Sequence, residues 1–286
     1  MNQTGKVGKI LFIPKIIHYC WFGGKPLPEE ALACIDSWKK YFPDYEIKRW
    51  DETNFDLNSC DYIKEAYQVK KWAFVSDYAR FKILYENGGL YFDTDVEVLR
   101  PMDDIIARGP FMGCEAGPAT SVPVSSSDMG AEVAAGLGLG ANAGLGLGAN
   151  AGLGLYKEIL NYYESQHFLL EDGSINQENV VERVTGILRK HGFKGDGSIE
   201  EVEGVTIYPP EYFCPFNFYT GVTNITDHTY TIHHYSASWF TKAEKKINEI
   251  NRKYIQMGKR DSLQRKIEQF PFWLWHRIEL VAKKGK

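Results

Sequence analysis

The 286-residue chain contains no CxxC pair, and its five cysteines, Cys20, Cys34, Cys60, Cys114 and Cys214, are odd in number. This argues against a zinc ribbon or a disulfide framework and for free thiols in a reducing compartment. An excess of positive charge is also missing. Lys and Arg number 33 against 37 Asp and Glu, a net charge of -4, and no basic run interleaved with aromatics marks a nucleic-acid surface. There is little at the start to direct export: Lys6 and Lys9 precede only Ile10 to Ile13 before Pro14, too short an apolar core for a signal peptide. A cytoplasmic protein is expected. The longest uncharged stretch, Val133 to Tyr156, is rich in glycine and holds Asn142 and Asn150, which disfavours a membrane span.

What is present is an ordinary globular composition, 44% hydrophobic and 24% charged, enough to bury a large core. Lys15 to Trp21 reads as a first strand, ending in a Phe22-Gly23-Gly24 loop. A helix from Glu29 to Phe42, a strand from Tyr45 to Trp50, and helices over 61–70 and 73–86 follow. Such alternation predicts an α/β fold whose ligands sit beyond the carboxyl ends of the strands.

Between residues 135 and 155 an octapeptide, Ala-Gly-Leu-Gly-Leu-Gly-Ala-Asn, runs twice in tandem and starts a third copy. Its period is too short for a solenoid unit, and so much glycine opposes regular structure through entropy. A flexible surface insert is the expectation, with a lid over an acceptor as the alternative.

The most informative stretch is Gly88-Gly89-Leu90-Tyr91-Phe92-Asp93-Thr94-Asp95-Val96. Leu90 to Phe92 and Val96 to Leu99 read as strand, which places the carboxylates within or at the edge of a sheet, and alternation projects Asp93 and Asp95 to one side. Two carboxylates side by side repel unless a cation bridges them, and oxygen ligands suit Mg²⁺ or Mn²⁺. Upstream, Phe74, Tyr78, Phe81 and Tyr85 recur at helical spacing, and Asp77 and Arg80 share one face of that helix among apolar neighbours. A buried Asp and Arg beside an acidic strand end would clamp sugar hydroxyls.

Ser76-Asp77-x-x-Arg80 followed by Gly88-Gly89-Leu90-Tyr91-Phe92-Asp93-Thr94-Asp95 resembles glycosyltransferase family 32. The resemblance extends through Ile13 to Gly24, Ser37-Trp38, Pro43-Asp44-Tyr45, Trp50-Asp51-Glu52, Tyr208 to Phe213 and Ile232 to Trp239. It implies a GT-A-like nucleotide-sugar-binding fold with a mixed, mostly parallel sheet over residues 10–240 and a helical appendage over 241–286. It further implies transfer of a hexose, with retention of configuration, from a nucleotide-diphosphate sugar to a saccharide or lipid-linked saccharide, in surface polysaccharide synthesis. Asp77 and Arg80 would hold the donor sugar with Ser76 nearby, and Trp21 would stack on the nucleobase. Asp93 and Asp95 would hold Mn²⁺ or Mg²⁺, and Ser238 and Trp239 would meet the diphosphate. A third metal ligand is expected from Ile232-His233-His234-Tyr235. Strand alternation lets only one histidine face the ion, and His234 is taken over His233. His18 lies within the first strand and reads as structural.

Two other classes compete. A haloacid-dehalogenase-type phosphatase would use Asp93 as nucleophile, but Glu97 stands where that type carries Thr or Val, and Asp77 with Arg80 would go unexplained. A non-catalytic nucleotide-sugar binder would be favoured by loss of one aspartate, and both are present. At the carboxyl end, Phe270, Phe272, Trp273, Leu274 and Trp275 lie among Arg and Lys. They fit either an anchor at the inner face of a membrane or a helix docked on the core.

Overall fold

A computed structural model describes residues 12–117, 139–236, 242–259 and 262–284. The β-branched and aromatic run near the start forms β1 (Ile16–Cys20), buried on nearly every position. It pairs in parallel with β2 (Glu46–Trp50) on one side and β3 (Gly89–Tyr91) on the other. The crossover from β1 to β2 is α1 (Glu29–Tyr41), which buries Ala31, Cys34, Ile35 and Trp38. Next come α2 (Asp61–Gln68) and α3 (Trp72–Asn87). Helix α3 stops at Gly88, whose φ of 66° an L side chain rarely adopts.

Beyond β3 lie β4 (Val96–Val98), α4 (Asp103–Ile106), β5 (Phe111–Glu115) and β6 (Gly140–Ala149). Then follow α5 (Gly154–Glu164), α6 (Val180–Lys190), β7 (Glu200–Val202), β8 (Val205–Tyr208), α7 (Pro210–Phe213) and β9 (Thr231–His233). Seven strands make one sheet in the order β2-β1-β3-β6-β5-β8-β7, and β4 pairs with β9 in a separate two-stranded ribbon. The large sheet is mixed as expected. Strands β1, β2 and β3 run parallel, as do β5 and β8, while β6 is antiparallel to both its neighbours. Core side chains divide between the cluster around Tyr62, Tyr78, Phe81 and Tyr156 and the one around Trp38, Phe92, Phe111 and Phe213.

The glycine-rich repeat corrects an expectation. Over its described part it is no flexible insert: β6 sits in the middle of the sheet with all ten residues buried. Residues 135–138 lie outside the described residues. Glycine is accommodated because neighbours occupy the space a side chain would need. A Cβ on Gly148 would fall 2.2 Å from the Phe111 ring, and one on Gly140 would fall 2.2 Å from Val181. The apolar contacts of Leu145 and Leu147, both fully buried, help offset the entropic cost. The register then slips. Met112 pairs with Leu147 but Gly113 pairs with Asn142, so residues 143–146 bulge out of the ladder.

The chain ends in α8 (Lys242–Gln256) and α9 (Leu263–Lys284), packed on each other. Helix α8 is not solvated all round. It buries Ala243, Ile250 and Tyr254, and Arg252 donates from Nε to the Phe218 carbonyl at 2.7 Å. Among the described residues, no helix is long and apolar enough to cross a membrane.

Candidate active site

Strand β3 ends at Tyr91, and Asp93, Thr94 and Asp95 form a turn leading into β4. The aspartates are therefore brought together by a turn, closed by Val96 N–H to the Asp93 carbonyl at 3.0 Å, and not by strand alternation. The reason is that β4 leaves the large sheet to pair with β9. Asp93 N–H donates to the Gly144 carbonyl at 3.1 Å, which ties the turn to the β6 bulge. Gly144 must be glycine, since a Cβ there would lie 2.0 Å from Asp93 Oδ2.

Asp93 Oδ1 accepts from Tyr91 at 3.0 Å and from Arg80 at 3.2 Å. Arg80 also donates to Asp77 Oδ1 at 3.0 Å and, from Nε, to the Ser76 carbonyl at 3.2 Å. The guanidinium stands over the Tyr91 ring, 5.2 Å from its centre. The three charged groups thus form an acid–base–acid chain, buried at Asp77 and Arg80 and partly open at Asp93. Burial pushes the Asp77 carboxyl up to about 6 against the pull of Arg80. Burial also raises Asp93, with the Asp95 charge acting in the same direction and Arg80 opposing. Ser76 contributes its carbonyl, while its hydroxyl donates back to the Trp72 carbonyl at 3.1 Å.

Asp95 is satisfied on both oxygens. Oδ1 meets His233 Nε2 at 3.1 Å, and Oδ2 accepts from Ser236 N–H at 3.0 Å and from its hydroxyl at 3.1 Å. Burial works to raise its carboxyl, but the His233 charge and these hydrogen bonds overcome that and hold it well below the usual range. His233 is the buried member of the histidine pair. His234 instead points to Glu97, 2.9 Å away, with a half-exposed side chain. The choice of His234 is thereby corrected: β9 pairs His233 opposite Val96, and that register turns His233 inward.

Asp93, Asp95 and His233 offer ligand atoms within 4.8 Å of one another. Two carboxylates and one imidazole form an oxygen-dominated set that fits a divalent cation such as Mn²⁺ or Mg²⁺. Beside it, Tyr235 lies 4.0 Å from the His233 ring and donates to Glu115 Oε2 at 2.6 Å, which also accepts from Asn142 at 2.6 Å. A cleft of about 480 Å³, lined by Pro209, Cys214, Asn217 and Thr220 among others, adjoins Tyr235 through Cys214.

Trp21 follows β1 directly. Because β1 and β3 are parallel neighbours, it lies at the same sheet edge as Asp93. It is half-buried and donates from its indole to the Lys25 carbonyl at 2.6 Å. His18 is structural as expected, fully buried between Trp50 and Gly88. Ser238 and Trp239 lie outside the described residues. Sequence reasoning passed over Tyr91, Gly144 and Ser236. Tyr91 stood inside the Gly88–Asp95 motif and Ser236 inside the Ile232–Trp239 stretch, each without an assigned role, while Gly144 was hidden in the repeat.

Residues 28–112 match the family described as glycosyltransferase sugar-binding region containing DXD motif. Those residues are similar to a DXD glycosyltransferase region. Inositol phosphoceramide mannosyltransferase 1 of Schizosaccharomyces pombe is 27% identical over 122 residues, covering 39% of this chain and 37% of its own length. Inositol phosphoceramide mannosyltransferase 3 of the same organism is 34% identical over 98 residues, covering 33% and 27%. The chain thus spans between about a quarter and two fifths of the length of these relatives. These matches support an assignment like glycosyltransferase family 32. Among solved structures, galactosyltransferase LgtC in complex with donor and acceptor sugar analogs aligns with 84% of this chain and 95% of its own. Its identity is 15% and its TM-score 0.41, too low to bear on the site. The matched residues contain α3, β3 and both aspartates, so the DXD pair and the Asp77–Arg80 pair fall inside the match.

Proposed function

We propose that the protein transfers a hexose, with retention, from a nucleoside-diphosphate sugar to a saccharide or lipid-linked saccharide hydroxyl in surface polysaccharide synthesis. The mannosyltransferases among its relatives make mannose the first sugar to try. The observation that carries the reading is the junction at Asp93, where the Asp77–Arg80 pair meets the Asp93–Asp95–His233 triad.

Asp93, Asp95 and His233 would hold a divalent ion, which when bound would offset the charge growing on the diphosphate leaving group. Arg80 is fixed by Asp77, Asp93 and the Ser76 carbonyl, so it presents donors to sugar hydroxyls without rearranging. Ser236 locks the Asp95 carboxylate in one orientation. Trp21 stacks on the base, and Ser238 and Trp239 meet the diphosphate. Asp93 as a phosphatase nucleophile finds little support, since that reading leaves the Asp77–Arg80 pair beside it without a role.

The test is hydrolysis of a panel of nucleotide sugars with Mn²⁺, for the intact chain and for Asp95→Asn. The variant should lose about 100-fold or more in turnover, as expected for a charged metal ligand, and chelator should do the same to the intact chain. Full hydrolysis by Asp95→Asn in chelator would sink the metal-dependent reading.

A further inference from the structure

The terminal hairpin is turned inside out. A helix packed on a protein normally presents its apolar face to its neighbour and its polar face to water. In α9 the face against α8 makes its hydrogen bonds through polar side chains, with half-buried Phe272 on the same side: Gln269 is buried and donates to Asn251 Oδ1 at 2.6 Å and to the Ile247 carbonyl. Arg265 reaches Asn251, and Glu268 accepts from Lys253 at 3.0 Å and from Tyr254 at 2.9 Å. The opposite face is apolar and open. Leu263, Ile267, Phe270 and Leu274 recur at i, i+4, i+7 and i+11, and with Trp273 they are between 52% and 71% exposed. Lys266 and Arg277, both exposed, border this stripe on the Trp273 side.

Charge says what covers it. Residues 242–286 carry 13 Lys and Arg against 5 Asp and Glu, a net +8, whereas the preceding 241 residues carry -12. A second copy would bring another +8 against this face. An anionic lipid surface complements the basic border, and its interfacial layer takes the apolar stripe. We propose that the outer face of α9 docks the protein on an anionic bilayer, with Leu263, Ile267, Phe270 and Leu274 in the interfacial layer. Arg252 and Gln256 of α8, hydrogen-bonded to the Phe218 and Thr220 carbonyls, couple the hairpin to the segment lining the cleft. The surface is independent of the donor chemistry, and its failure would leave the proposed transfer standing.

The experiment is sedimentation of the full chain with vesicles of phosphatidylcholine alone or with phosphatidylglycerol added, alongside sedimentation-equilibrium mass. The intact chain should bind the anionic vesicles, bind the neutral ones about tenfold more weakly, and release as salt is raised. Phe270→Ser with Leu274→Ser should abolish binding, and Lys266→Glu with Arg277→Glu should weaken it about tenfold. All these residues are exposed, so the melting temperature and metal-dependent donor hydrolysis should stay as in the intact chain. Absence of binding to anionic vesicles overturns the proposal. So does a dimer that Phe270→Ser with Leu274→Ser converts to monomer without any change in vesicle binding.

Discussion

Arg80 and Gln269 are both polar residues turned inward, one beside the central sheet and one inside the terminal hairpin, and their surroundings could hardly differ more. Arg80 is ringed by two carboxylates, a phenol ring and a carbonyl, nearly all removed from water. Gln269 is a neutral amide in a seam whose other members keep one side in solvent. Buried charge is tolerated in the first case because every partner is charged or hydrogen-bonded, so removing one member strands the rest. In the second, each interaction is a half-wet hydrogen bond worth about 1 kcal/mol. The same change of chemistry should therefore have opposite weight in the two places. Arg80→Met leaves buried Asp77 without its counter-charge and strips Asp93 of one partner, and should cost about 3–5 kcal/mol in denaturant unfolding. Gln269→Leu exchanges two hydrogen bonds for apolar contact and should stay within about 1 kcal/mol of the intact chain. Similar costs for both would erase the distinction.

Acid should sharpen the contrast from the sheet side. Trp50 Nε1 is a donor only, so His18 Nδ1 must accept its hydrogen bond at 3.0 Å while Nε2–H donates to the Gly88 carbonyl. Burial pulls the imidazole down to about 4, from 6.5 in an unfolded chain. Between those values the unfolded chain binds the extra proton, so stability is fully present above about pH 6.5 and falls towards pH 4, by about 3 kcal/mol from this residue. Unfolding curves from pH 7.5 to 4.5 should show that slope in the intact chain and a shallower one in His18→Gln. Equal slopes would mean His18 is not held neutral by its surroundings.

Gly144 probes the junction itself. A Cβ 2.0 Å from Asp93 Oδ2 forces the carboxylate away from its contacts with Arg80 and Tyr91. Gly144→Ala should cost about 1–3 kcal/mol in stability, in the range of overpacked cores. It should also weaken Mn²⁺ binding about 10- to 100-fold by titration calorimetry, because the ligand is displaced and not removed. Gly146→Ala, in the same bulge but against the Phe92 ring, should leave Mn²⁺ affinity unchanged.

Elements whose pattern is local were legible in the sequence: β1, α1, β2, α3 and β3 fall within two residues of the spans that periodicity predicts. The Asp77–Arg80 pair was legible for the same reason, since a spacing of three on a helix fixes one shared face. What escaped depends on distant partners. That only one histidine of the pair turns inward followed from alternation, but which one was set by pairing with β4, more than 130 residues earlier. Ser236 reaches Asp95 after a backbone reversal at Tyr235, whose φ of 48° no sequence pattern announces. The glycine run looked like a loop because composition carries only the entropic cost. The side chains that make glycine necessary there come from β5, α6 and the DXD turn.

The smallest effect belongs to the outer face of the hairpin, and its smallness is the point. In an ordinary helix pair, Ile267→Ser or Phe270→Ser would remove a core contact and cost about 2–5 kcal/mol. Here both side chains are more than 60% exposed, and the hydrogen bonds and ion pairs between α9 and α8 run through Arg265, Glu268, Gln269 and His276. Each serine should therefore change unfolding free energy by no more than about 0.5 kcal/mol, the range of surface substitutions. Glu268→Ala, which removes the acceptor shared by Lys253 and Tyr254, should cost more than either serine. In a helix pair built the usual way round the order would be reversed. Urea titrations of the three variants decide it, and a serine that costs more than Glu268→Ala would put the apolar face back inside.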